Sequence, residues 1–162
     1  MRVRRAVAVA ALGTALMGCG VQPTGVIDAG ESASGLTRGA RLYYASAGGL
    51  RGVPLDREID DLNTVLKLLA QEPPPAERDE LTSLVRLGGF SASGTGARVT
   101  VAVYGGYPST GRDQGTGQLV CTLARAQSVI EPKVRTEDVE VTVRPTEGDP
   151  LGPFRCAEFL NG

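Results

Sequence analysis

Cysteines at positions 19, 121 and 156 are the strongest nucleophiles in this 162-residue chain, and histidine is absent. Without imidazole, the commonest general base and the commonest metal ligand are both missing. Ser-His-Asp and Cys-His arrangements are therefore out of reach. A tetrahedral zinc site would have to combine cysteines with carboxylates, so no metal and no cofactor is expected. Asp60-Asp61 and Glu77-Arg78-Asp79-Glu80 could in form supply paired carboxylates for glycoside hydrolysis. Four tyrosines, three phenylalanines and no tryptophan make a poor sugar-stacking cleft. Solvated positions that complement helix dipoles are the plainer reading of these acids. Ser93-Gly94-Thr95-Gly96 and Gly115-Thr116-Gly117 lack the Walker lysine and the dinucleotide spacing. The second opens an expected helix and could at most hold an anion. No catalytic residue is assigned.

The first cysteine has a different chemistry. Leu16-Met17-Gly18-Cys19 closes a segment that starts with Arg2, Arg4 and Arg5 and continues as an apolar run from Ala6 to Met17. That run is too short to span a hydrocarbon core of about 30 Å as a helix. A basic start, an apolar middle, a small residue and then cysteine read as a bacterial lipoprotein signal. Residues 1–18 would be cleaved, Cys19 would carry lipid such as palmitate, and the mature chain would sit on the extracytoplasmic face of the cell membrane. The competing readings are an ordinary secretory signal with Cys19 near its cleavage point by chance, or an alanine-rich first helix. Arg4-Arg5 stands without a fuller twin-arginine motif, so the general secretory route is expected.

Removing residues 1–18 takes three of the 17 basic residues and none of the 18 acidic ones, leaving 144 residues with a net charge of −4. This is enough chain for one domain. Its charge suits neither nucleic acid nor anionic headgroups, and no run of basic residues supplies a local patch. No later apolar stretch is long enough to cross a membrane, so lipid on Cys19 is the expected membrane attachment. The remainder of residues 19–38 is small, polar and punctuated by glycine, serine and proline, which reads as a flexible tether reaching about 20–25 Å.

The elements that must position any site follow within residues 39–162. Arg41 to Ala45 and Leu50 to Leu55 flank Gly48-Gly49 and predict a hairpin. Asp56 offers an N-cap to a helix with Ile59, Leu62, Val65, Leu66 and Leu69 on one face, ended by Pro73-Pro74-Pro75. Ala76 to Val85 predicts a shorter helix with Leu81, Leu84 and Val85 inward. Gly88 to Gly96 reads as a loop, Arg98 to Tyr104 as a strand, and Gly105 to Gly115 as a long glycine-rich loop. Thr116 offers the cap of a helix carrying Leu119, Val120, Leu123 and Ala126. Val139 to Val143 is a second alternating strand, and Phe154 to Leu160 is apolar enough to dock back. The order predicts an α+β, two-layer sandwich of two or three helices on a small mixed sheet.

Between Arg41 and Val143 the pattern resembles the GerMN domain of sporulation, spore-germination and other envelope lipoproteins. Leu42-Tyr43-Tyr44, a glycine turn and Val53-Pro54-Leu55-Asp56-Arg57 resemble its opening. Residues 66–80, LKLLAQEPPPAERDE, are similar to its "LL-x-GP…E" stretch, with Gln71-Glu72 where glycine is usual. Gln118-Leu119-Val120-Cys121-Thr122-Leu123 resembles its "aQLv-x-TL" helix, and Val139 to Val143 its closing strand, here followed by Arg144-Pro145. The resemblance covers about two-thirds of the mature chain. It implies a non-enzymatic, membrane-tethered envelope domain related to modules that build protein assemblies.

Once Cys19 is assigned to lipid, Cys121 and Cys156 remain as an even pair in an oxidising compartment, and a disulfide between them is expected. Two unpaired thiols, with Cys121 buried as a small hydrophobe, are the alternative. The loop from Gly105 to Gly115 carries Tyr107, Arg112 and Asp113 and is the candidate interaction surface, against a simple strand-to-helix connection. The expected function is a lipid-anchored docking module for an envelope or membrane protein. The alternative is a small-ligand-binding or sensing lipoprotein, and a cell-wall hydrolase is the weakest reading.

Overall fold

A computed structural model of the chain describes residues 39–86 and 88–160. The expected leader at 1–18, Cys19 and the tether lie outside the described residues. Three helices pack against a four-stranded mixed sheet, accompanied by a separate hairpin, so the expected α+β architecture is present.

Alternation decides the sheet. In β4 (Arg98–Gly106) Val99, Val101 and Val103 are buried, and in β5 (Glu140–Glu147) Val141 and Val143 are buried. These two strands pair in parallel, so the chain must cross over between them. The crossover is the long helix, α2 (Gln114–Ile130). β3 (Phe90–Thr95) and β6 (Leu151–Phe154) add antiparallel edges, giving the order β3-β4-β5-β6. β6 leads through Cys156 into α3 (Ala157–Leu160).

Buried positions surround the axis of α2, including Gln118, Leu119, Val120, Cys121, Thr122, Leu123 and Ala126. A helix buried on all sides needs partners on all sides. The sheet takes one side, while β1 (Arg41–Ser46) and β2 (Gly49–Pro54) form an antiparallel hairpin that supplies another. α1 (Leu62–Leu69) buries Leu62, Val65, Leu66 and Leu69 in the same core. At Gly117 a Cβ would lie 2.8 Å from Leu50 Cδ1 and 2.9 Å from Phe159 Cβ. Glycine at this point of α2 therefore lets β2 and α3 close on the helix together.

Four expectations are corrected. The first helix begins at Leu62, not near Ile59, because Asp61 rather than Asp56 accepts the Thr64 N–H at 2.8 Å. Ala76 to Val85 is not a helix: a 3-10 turn at Pro75–Glu77 leads into an extended stretch whose burial alternates. Leu81, Ser83 and Val85 are buried and Leu84 is 46% exposed, while Thr82 bridges Ala45 through N–H to O bonds of 2.9 and 3.0 Å. The LTSLV run fits both periods, and the open edge of β1 selects the extended one. The expected loop at 88–96 contains β3, with Ala92 buried. The long helix is capped by Asp113 rather than Thr116, and β4 continues through Gly106, so the loop shrinks to residues 107–113.

Candidate functional site

Two of the three candidate loop residues, Tyr107 and Asp113, converge on the start of α2. Asp113 is its N-cap, its Oδ1 accepting the Thr116 N–H at 2.9 Å and its Oδ2 accepting from the Ser109 hydroxyl. Ser109 Oγ also lies 2.9 Å from Thr116 Oγ1, and the Tyr107 hydroxyl is 3.2 Å from the same oxygen. Burial pushes the Asp113 carboxyl upward, but the bonds from Ser109 and Thr116 outweigh it and hold it below its ordinary value. Burial raises the Tyr107 phenol, Thr116 partly opposes this, and the Asp113 charge adds to it. The phenol is therefore neutral at physiological pH, packed on the core and fixed by Thr116.

Arg112 sits apart from this network. Its exposed guanidinium reaches Glu158 at 3.5 Å, linking the loop to α3. Gly111 packs against the Phe154 ring, where a Cβ would stand 2.8 Å from Cζ. The loop is thus held by its own cap, by β6 and by α3. The cavity beside Tyr107, Ser109 and Asp113 is about 50 Å³, well below the ~300 Å³ at which small-molecule sites begin. The Asp113 carboxylate already occupies the amide of Thr116, so the Gly115-Thr116-Gly117 opening offers an anion little.

The acidic clusters have similar local work. Asp61 caps α1, and the Asn63 amide, with the Thr64 bonds, outweighs desolvation to lower its pKa to about 2. Glu77 and Glu80 both pair with Arg51 of β2. No group of three or more Cys, Asp or Glu side chains gathers to hold a metal among the described residues.

Cys121 and Cys156 form a disulfide, Cα to Cα 4.5 Å, that ties α2 to the segment between β6 and α3. Both residues lie in the core. Phe154 and Phe159 flank Cys156 in the chain and meet edge to face at 5.7 Å.

Sequence reasoning missed the polar residues that close strand edges. Gln118 Nε2 donates to Tyr43 O and Thr82 O, both at 3.1 Å, and Gln118 Oε1 accepts the Leu84 N–H at 2.8 Å. Thr122 Oγ1 accepts the Tyr43 N–H at 2.9 Å. Arg125 Nε donates to Gly39 O at 3.0 Å. Positions 118, 122 and 125 form one stripe of α2, so the helix presents a polar seam to the outer edge of β1. The available signal was a repeated polar residue at helical spacing inside an otherwise apolar segment.

No family model, no curated protein and no solved structure matches the chain.

Proposed function

We propose that the chain is a lipid-anchored extracytoplasmic docking module of GerMN type, non-catalytic, serving an envelope or membrane protein. The observation that carries this reading is the order of the N-terminal segment: Arg2, Arg4 and Arg5, the apolar run, then Leu16-Met17-Gly18-Cys19. The Cys121–Cys156 bond supports the compartment, since disulfides persist outside the reducing cytosol. The non-catalytic part is supported by how the polar groups are used. Asp61 and Asp113 cap helices, Gln118 and Thr122 close a strand edge, and Glu77 and Glu80 hold Arg51.

Replacing Cys19 with alanine tests the anchor. The expected outcome is loss of a radiolabelled or clickable acyl group and release from the membrane fraction, with the body still folded. Wild-type membrane retention in Cys19→Ala would overturn the reading. Crosslinking of the anchored protein in its native envelope, followed by purification in detergent, should then yield a stoichiometric protein partner.

A further inference from the structure

Ionised arginine with an unmet N–H is costly inside a protein, because a buried charge needs both a partner and hydrogen bonds. Arg125 is partly buried, and one end of its guanidinium meets this condition. Its Nε donates to Gly39 O, but its Nη2 is buried and has no hydrogen-bond partner. No carboxylate among the described residues pairs with it in an ion pair. The same arginine lines a cavity of about 680 Å³ between the second half of α2 and residues 132–137. This falls within the range of about 300–1,000 Å³ typical of small-molecule sites.

The other walls divide into two kinds. Val129, Pro132 and Val134 are apolar. Ser128 and Thr136 bring their hydroxyl oxygens to 2.7 Å of each other, with Ser128 Oγ also donating to Arg125 O at 2.9 Å. Arg135 and Glu137 line the cavity as well and pair with each other, Nε to Oε1 2.7 Å, so their charges cancel locally. Arg125 is then the uncompensated charge, beside hydroxyls on one side and aliphatic carbon on the other. Guanidinium favours oxyanions such as phosphate and carboxylate.

We propose that this cavity is a binding site for an amphipathic oxyanion, with the anionic group drawn to Arg125 and its apolar part against Val129, Pro132 and Val134. Arg125 lines the cavity, and its enclosed Nη2 is reached only when the guanidinium turns toward the bound anion. The site is independent of the docking reading, because an envelope module can hold an anion whether or not it contacts a protein partner.

Octyl phosphate tests this on the purified full chain, with the Arg125 side-chain Nε–H signal and the melting temperature as readouts. Saturable binding is expected, at least about tenfold tighter than inorganic phosphate, since the octyl chain adds buried apolar area. Arg125→Gln should abolish it and Arg125→Lys should restore part of it. Val134→Glu places a carboxylate in the cavity without touching Arg125 and should also block binding, which covers the case in which Arg125→Gln folds poorly. Sedimentation with phosphatidylcholine vesicles, with and without phosphatidylglycerol, separates the sources. Val134-dependent binding to the anionic vesicles assigns the oxyanion to a lipid headgroup, and its absence with octyl phosphate still bound assigns it to a soluble molecule. Equal octyl phosphate affinity in wild type and Val134→Glu, or no saturable binding by any of these probes, overturns the proposal.

Discussion

Asn63 of α1 holds Ala92 of β3 by both of its backbone groups. The Ala92 N–H donates to Asn63 Oδ1 at 2.7 Å, and Asn63 Nδ2 donates to Ala92 O at 3.1 Å. One side-chain amide thus stands where a neighbouring strand would, at the outer edge of the sheet. Exposed strand edges invite pairing with other chains, and this one is blocked at its centre. Asn63→Ala should destabilise the protein by about 1–3 kcal/mol, the cost of leaving buried polar groups unmet. Urea denaturation measures the loss, and amide exchange should show Ala92 deprotected before the partners of β4.

Gln118 bonds three backbone groups from two segments. Two of them, Tyr43 O and the Leu84 N–H, lose this partner with no other bond described, so the loss of Gln118 should cost more than that of Thr122. The expectation for Gln118→Ala is about 3 kcal/mol or more, and for Thr122→Val about 1 kcal/mol, because only the Tyr43 N–H is orphaned there. Equal effects in denaturant titrations would show that the hairpin edge is not held by the Gln118 amide.

Acid should loosen α1. The Asp61 pKa is lowered to about 2, below its unfolded value of about 3.9. The stabilisation is complete above the unfolded value, declines as pH falls below 4, and is gone below about 2. Asp61→Asn keeps a competent cap but removes the titration, so its stability should be flatter than wild type between pH 4 and 2. Asp61→Ala should cost about 1 kcal/mol at neutral pH.

The disulfide closes a sequence separation of 35 residues. In the chain-entropy account such a closure contributes about 4 kcal/mol. Cys156→Ser should therefore lower the melting temperature and increase proteolysis within residues 151–160, while the β4–β5 pairing stays protected. A free-thiol assay on the unreduced mature protein should find neither Cys121 nor Cys156 reactive.

The most legible parts of this fold in the sequence were those with one strong period. β4 and β5 alternate valine with polar residues, and α2 carries its apolar positions at helical spacing. β3 was illegible because Phe90-Ser91-Ala92-Ser93-Gly94-Thr95 is small and polar, and the strand exists through its pairing with β4 and the clamp from Asn63. The 81–85 stretch failed for a different reason. Its residues satisfy helix and strand patterns alike, and the choice is made by Ala45, far away in the chain. Tyr107, Arg112 and Asp113 could be found as chemically rich residues in a glycine-rich loop. That two of them serve the start of α2 depends on Ser109 and Thr116, whose hydroxyls have no sequence signature of their own.

The polar seam of α2 also sets an order of events as the chain folds. β1 and β2 are the first described elements to be made, yet Tyr43 waits for Gln118 and Thr122, 75 and 79 residues later. Contacts this distant in sequence form slowly, and an unpaired strand edge is vulnerable meanwhile. The hairpin edge therefore stays open at Tyr43 until α2 follows, and α2 acts as the latch that ends its exposure to neighbouring chains.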